Sequence, residues 1–400
     1  MTAIDELTIK AARFPGLDAV RAIGATAVVA THCGFWTGRS IHGPFSGLLA
    51  RMDVGVALFF VLSGFLLFRP FVVAAERGSA WPVASTYLLR RTLRILPAYW
   101  LVVVVSLLVL SENAHLNGPL YWLRDVTLTQ IYGLDWGRAA GLTQTWSLAT
   151  EVAFYLVLPL LADLVLRVFH RPAAVLVGLM AVSPLWFTYI ASPGGLDPRV
   201  AGQWLPGYLD WFGAGMLLAL LEVQSRGNEP WGWVARAHEL AAAPWTCWAM
   251  AAGLLAVATS AVAGPQDLTT LTGPEQIVKN LLYLGIAVLF VLPFTLGTTS
   301  ARTVHGVLDS RTVHWLGEIS YGVFLWHLLV LEAVTRLRGQ HLFTGSWITT
   351  FGLVWGCSVG VASVSYVVLE RPALRLKNRV RRTSASKVDQ IMAKPMTHNA

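Results

Sequence analysis

The chain has 400 residues, of which 55% are hydrophobic and 13% charged, and its formal net charge is +8. A soluble domain carries about 25% charged residues, so the composition excludes an ordinary soluble enzyme and indicates a polytopic membrane protein. The positive charge lies at the ends of apolar segments and forms no separate basic domain, which excludes nucleic acid as a partner. The three cysteines have no metal-ligand spacing, so no metal site is expected.

Ten apolar segments each approach the ~20 residues that a helix needs to cross a bilayer. The predicted spans are 17–36, 53–75, 95–111, 146–169, 173–192, 204–221, 244–263, 279–299, 313–335 and 345–369. The expected architecture is all-α, with a lead-in at 1–13, a transmembrane domain at 14–372 and a basic, disordered tail at 373–400. Most Lys and Arg residues fall on one side when the N-terminus is inside. The positive-inside rule therefore places both ends in the cytoplasm. The expected location of the protein is the inner (plasma) membrane.

The first predicted span contains Asp18, Arg21 and His32 within an otherwise apolar run. Ionisable groups at the bilayer centre cost about 2.5–3.5 kcal/mol each on insertion scales, so they face a protein interior or a wet cavity. Arg21 and His32 are eleven residues apart, which brings their side chains to within roughly 20° on a helix. Asp18 lies about 40° to the other side. This polar track predicts a functional site, and the span is expected to be retained as a helix because it lacks a signal-peptide cleavage site.

Two further spans place ionisable groups inside the membrane. Glu151 lies about 7 Å inside Trp146 and His32 about 6 Å inside Trp36, so the two groups are predicted at the same depth. A functional pair and a structural ion pair explain this match equally well. The ninth span is also polar and contains Ser320, Tyr321 and His327. His327 is predicted in the outer part of the membrane, where it is either a hydrogen-bonded core residue or a base that competes with His32.

Arg91 and Arg94 are one helical turn apart, directly before the third predicted span. They serve either as topology anchors at the headgroup level or as phosphate ligands, because a guanidinium binds phosphate oxygens in pairs. The spacing does not decide between these roles. Within the second span, the Ser63–Gly64 pair favours close helix packing over ligand contact.

The blocks LDAVRAIGATAVVATH, VALFFVLSGFLL, RRTLRILPAYW, WSLATEVAFY, LGEISYGVFLWH and LERP occur in this order. Together they resemble the integral-membrane acyltransferase-3 family over residues 14–372. The chain departs from the family at Ala57, where the family usually has Asp, although Asp53 lies one turn earlier. It also has Val152 after Glu151, where the family has paired acids. An appended esterase-like domain, which some members carry, is not expected.

The resemblance implies transfer of an acyl group, commonly acetyl, from cytoplasmic acyl-CoA to a hydroxyl of an envelope glycan or glycolipid. His32 is the expected general base and Glu151 the residue that orients it. The expected donor-binding residues are Arg21, Arg91, Arg94 and Ser320, and the expected supporting residues are Asp18, Asp53, Ser63, Tyr321 and His327. No tightly bound cofactor is expected, because acyl-CoA is a co-substrate.

Alternatives remain open from the sequence. The intramembrane Asp, Arg, His and Glu residues also suit a transporter or lipid flippase. The Ala57 and Val152 departures are compatible with a scaffold protein that has lost activity. Among acceptors, a macrolide or another small glycoside is an alternative to an envelope sugar. The richness in Ala, Gly, Trp and Arg suggests a high-GC bacterium, for which a trehalose mycolate is a candidate acceptor.

Overall fold

The computed structural model describes residue 14 and residues 16–110, 119–133, 141–226, 232–267, 269–297 and 310–375. Every regular element within these residues is helical, which confirms the all-α prediction. The predicted lead-in at 1–13 and residues 376–400 of the predicted tail lie outside the described residues. The last described helical turns continue to residue 375, three residues into the segment predicted as tail.

The helices of the first half of the chain include most of those that carry predicted site residues. They are α1 Gly16–Trp36, α2 Ser46–Arg51, α3 Gly55–Arg77, α4 Ala84–Val105, α5 Pro119–Val126, α6 Thr145–Asp163, α7 Pro172–Met180 and α8 Val182–Ile190. A 3-10 turn at Met52–Val54 joins α2 to α3, and α4 and α6 each end in a π-helical turn.

The second half adds the remaining helices around this group. They are α9 Pro198–Ala201, α10 Leu209–Gln224, α11 Gly232–Ala241, α12 Pro244–Ala258, α13 Gly273–Thr295, α14 Arg311–Leu337 and α15 Trp347–Ser365. A 3-10 turn at Leu205–Tyr208 leads into α10, and a π-helical turn at Tyr366–Glu370 follows α15.

Each of the ten predicted spans falls on a helix, but not every helix could cross a bilayer alone. In the described part of the chain, seven helices are long and apolar enough to do so, or eight if α11 and α12, bent by 86°, form one span. The exceptions are α1, which carries Asp18, Arg21 and His32, and α10, which has only 16 residues. The total of ten spans and the cytoplasmic position of both ends stay predictions.

Two predicted starts were wrong by seven residues or more. The second apolar helix begins at Ser46, seven residues before the predicted start at 53, because α2 continues through its 3-10 turn into α3. The third begins at Ala84 and not at 95, so Arg91 and Arg94 lie on the helix itself. Hydropathy marks where a helix enters hydrocarbon, whereas Arg and Leu are good helix formers that extend it beyond that point.

Helix α1 lies in the interior, packed against α3, α14 and α15. Helices α3 and α10 approach so closely that a Cβ added to Gly64 would overlap the Phe212 carbonyl oxygen. Small residues permit such contacts between membrane helices, and this confirms the packing role predicted for Gly64. The interior position of α1 gives its ionisable side chains protein neighbours and keeps them away from lipid.

Candidate active site

A cavity opens between five helices, and all four predicted donor-binding residues line it. Its polar lining residues are Arg21 from α1, Ser63 from α3, Arg91 and Arg94 from α4, Ser147, Glu151 and Tyr155 from α6, and Ser320 and Tyr321 from α14. Most of the remaining wall is formed by apolar residues of α3, including Phe59 and Phe60. Residues separated by up to about 300 positions in the sequence therefore meet in one cavity.

The arginines concentrate positive charge at one end of this cavity. Arg21 Nη1 lies 2.6 Å from Asp18 Oδ1, and the charge of Arg21 also interacts with those of Arg94 and Arg91. Within the described residues, neither Arg91 nor Arg94 forms an ion pair with a carboxylate. The cavity therefore carries excess positive charge, which favours an anionic ligand.

Asp18 links α1 to α14 at the same end. Its Oδ2 atom lies 2.6 Å from His314 Nδ1, and His314 Nε2 lies 3.4 Å from Glu318 Oε1. A Cβ added to Gly317 would overlap Asp18, so the two helices touch at this point. His314 was not predicted as a site residue, although its spacing of four residues from Glu318 was visible in the sequence.

Glu151 was expected to contact and orient His32, but the two side chains do not contact each other. Its Oε1 atom accepts a hydrogen bond from the Ser63 hydroxyl of α3. Helix α3 packs against both α1 and α6, so it supplies the partner that Glu151 meets. The equal depths of Glu151 and His32 could not reveal this, because depth along a helix does not specify which neighbour its side chain faces.

His32 and His327, predicted as rival bases, contact each other. His327 Nε2 lies 3.2 Å from His32 Nδ1. His32 Nδ1 is also 2.8 Å from the Val28 carbonyl oxygen, and His327 Nδ1 is 2.5 Å from that of Phe324. A carbonyl only accepts, so both Nδ1 atoms carry the proton in the neutral rings. His327 Nε2 then accepts from His32, and the lone pair of His32 Nε2 has no protein partner among the described residues.

An aromatic pair lies between the cavity and the histidines. Phe59 and Phe324 both line the cavity, and their ring centroids are 5.9 Å apart in an edge-to-face arrangement. The Phe324 ring is also 5.9 Å from that of His327. Neither histidine lines the cavity itself. Phe324 therefore connects the cavity that the arginines line to the histidine pair.

Asp53 is held away from the cavity by two residues of α13. Lys279 Nζ lies 2.9 Å from Asp53 Oδ2, and the Tyr283 hydroxyl donates to Asp53 Oδ1. Ala57, where the family resemblance had led us to expect Asp, is fully buried. Neither Lys279 nor Tyr283 was predicted as a partner of Asp53, although their spacing of one helical turn was visible in the sequence.

Ser320 and Tyr321 have local partners on neighbouring backbone. The Ser320 hydroxyl donates to the Gly317 carbonyl oxygen at 2.8 Å, and the Tyr321 hydroxyl donates to that of Ile95 at 2.9 Å. Tyr321 thereby connects α14 to α4 beside Arg94. Both residues still border the cavity.

The sequence is similar to several acyltransferases. It is 24% identical over 345 residues to the peptidoglycan O-acetyltransferase OatA of Listeria monocytogenes, covering 80% of this chain and 50% of that protein. It is 27% identical to the acyltransferase MdmB of Streptomyces mycarofaciens, covering 92% of this chain and 94% of that one. It is also 28% identical to the exopolysaccharide production protein ExoZ of Rhizobium meliloti, and the match covers 83% of this chain and 92% of that one.

The chain thus spans about half the length of the Listeria protein and nearly all of the other two. No solved structure matches it. The family model of the acyltransferase domain, acyltransferase-3, matches residues 14–369. With apolar helices throughout this region and a cavity among them, the chain belongs to this family of integral membrane acyltransferases.

Proposed function

We propose that the protein transfers an acyl group, most simply acetyl, from cytoplasmic acyl-CoA to a hydroxyl of an envelope sugar, glycan or glycolipid. The observation that carries this proposal is the convergence of Arg21, Arg91 and Arg94 in one cavity. Arg91 and Arg94 have no carboxylate partner in the described residues, so the phosphates of CoA would supply the missing negative charge.

The chemistry follows the cavity from the arginines toward the histidines. The CoA phosphates bind the arginines, and the acyl arm extends past Ser63 and Glu151 toward Phe59 and Phe324. The acceptor hydroxyl attacks the thioester carbonyl while His32 Nε2 takes its proton. That proton then goes to the departing CoA sulfur, which leaves neutral His32 and free CoA. Phe59 and Phe324 must part for the acyl end to reach the acceptor.

The choice of acceptor rests on the relatives. One is named as a peptidoglycan O-acetyltransferase and another as an exopolysaccharide production protein. Both names point to carbohydrate of the cell envelope. An acceptor of this kind is reached from the outer side of the inner membrane, which agrees with His32 lying toward the opposite end of α1 from Arg21.

The test uses purified full-length protein in lipid nanodiscs with labelled acetyl-CoA and envelope extract. We expect CoA release that requires the extract, and an acetylated sugar by mass spectrometry. Arg91→Ala and Arg94→Ala should each weaken CoA binding, by roughly 10-fold or more for a lost charge-assisted contact. Absence of CoA binding and of CoA release would reject the proposal and favour a transporter.

A further inference from the structure

A second cavity adjoins the first on the side of the arginines. It lies between the C-terminal half of α3, the segment 78–83 and the beginning of α4. Its lining includes Pro70, Phe71, Pro82, Tyr87, Arg90 and Arg91. Arg91, Leu66 and Leu67 line both cavities, so the two spaces share a wall and Arg91 stands at their junction.

Two polar atoms at this place lack protein partners. Tyr87 Oη and Arg91 Nε are buried and make no hydrogen bond within the described residues. Buried polar groups are nearly always hydrogen-bonded in folded proteins, because an unpaired one loses its contact with water without compensation. Arg90 also has no carboxylate partner in this part of the chain. A polar, anionic ligand would satisfy these groups.

The rest of the wall is mostly apolar. The Phe71 ring packs edge-to-face against Trp81 at 5.3 Å and against Tyr87 at 6.2 Å. Pro70 and Pro82 add further apolar surface. Aromatic side chains and arginine bind the faces of nucleobases, and arginine binds phosphate. A planar heteroaromatic ring carrying phosphate groups matches both features of this cavity.

We propose that the second cavity binds the phosphorylated adenosine of CoA, with Arg90 as the ligand of the ribose 3′-phosphate. This inference rests on the proposed function. Arg91, at the junction, contacts the diphosphate together with Arg21 and Arg94, and the pantetheine arm and the thioester extend beyond them into the first cavity. Arg90 thereby becomes a donor-specificity residue that neither the family resemblance nor the first cavity identified.

The test compares CoA with dephospho-CoA, which lacks only the 3′-phosphate, by calorimetry on full-length protein in nanodiscs of zwitterionic lipid. Wild type should bind CoA roughly 10- to 100-fold more tightly than dephospho-CoA, the range expected for a charged hydrogen-bonded contact. Arg90→Ala should bind both alike, at the affinity of wild type for dephospho-CoA. Arg77→Ala, an exposed arginine at the end of α3 that does not line the cavity, should retain the preference.

A truncated donor separates the two proposals. Acetyl-pantetheine has no nucleotide, so wild type and Arg90→Ala should transfer acetyl from it at equal rates. If wild type transfers acetyl from acetyl-CoA but Arg90→Ala keeps its preference for CoA over dephospho-CoA, the adenosine site is wrong and the proposed function stands. If wild type binds no CoA and transfers from neither donor, both proposals fall.

Discussion

Glu151 is a carboxylate in a cavity dominated by arginine. Its Oε1 atom accepts from Ser63, and its charge acts on Arg91. The pairing with Ser63 fixes the carboxylate beside the path proposed for the thioester. We therefore expect Glu151 to affect the acyl-transfer step more than the binding of the CoA phosphates.

We expect Glu151→Gln to lower acyl transfer by at least about 10-fold, since groups acting on proton transfer contribute about 10²–10⁴-fold. CoA affinity should be equal or higher, because the substitution removes a negative charge near Arg91. Turnover and calorimetry check both parts. Glu332→Gln, which removes a carboxylate paired with Arg336 elsewhere on α14, is the matched control. Wild-type turnover in Glu151→Gln would leave Glu151 as a packing partner of Ser63 only.

Asp18 acts on the donor through Arg21. It contacts both Arg21 and His314 at 2.6 Å, so it holds the guanidinium in one position at the cavity wall. Asp18→Asn should raise the KM for acyl-CoA by about 10-fold, the effect of one weakened charged contact, with kcat nearly unchanged. Asp163→Asn, at the end of α6, breaks an exposed ion pair with Arg167 and should change neither KM nor kcat. A fall in kcat at constant KM would contradict a positioning role for Asp18.

The helices themselves were predictable from hydropathy, but their ends and contacts were not. All ten predicted segments are helical, because apolar runs near 20 residues have few other solutions in a bilayer. The start of α4 was misplaced because Arg91 and Arg94 fall outside the apolar run, although they continue the helix. Which helix faces pack together depends on how closely the two backbones can approach, as they do at Gly64 and Gly215. The spacing of residues in the sequence does not specify this contact.

The α3–α10 contact gives a prediction for stability. Gly64→Ala should lower the free energy of unfolding by roughly 1–3 kcal/mol, since the added methyl overlaps backbone of α10. Gly178→Ala, on α7 with open space around its Cβ position, should be neutral or stabilising by about 0.4–1 kcal/mol. Thermal unfolding of both variants in the same detergent measures the difference. Equal stability of the two variants would show that α3 and α10 are not in close contact.

At the scale of the whole molecule, several residues that line the cavity could be singled out from the sequence, but the contacts among the polar residues could not. Intramembrane Arg, His and Glu residues are costly enough to mark a site in sequence, and Arg21, Arg91, Arg94 and Ser320 do line one cavity. The pairing of His32 with His327 and of Glu151 with Ser63 depends on how α1, α3, α6 and α14 are arranged around one another. That arrangement is determined by the packing of the whole fold, so no single segment of the sequence reveals it.

The direction of the site across the membrane has its own test. The positive-inside rule places the arginine end of the cavity in the cytoplasm, where acyl-CoA is available. Reporter enzymes fused to the N-terminus and to the C-terminus should therefore both report a cytoplasmic position. A reporter that is active only outside the inner membrane, at either end, would reverse the proposed direction of transfer.

The most direct test of the account measures acyl transfer by His32→Ala and His327→Ala. Both variants are purified in nanodiscs and first checked for CoA binding, which should match wild type because neither histidine lines the donor cavity. His32→Ala should lose transfer by at least about 10²-fold, as expected for a missing general base. His327→Ala should keep more activity, since His32 Nδ1 retains the Val28 carbonyl as its partner. An inactive His327→Ala beside an active His32→Ala would contradict the account, and so would activity in both.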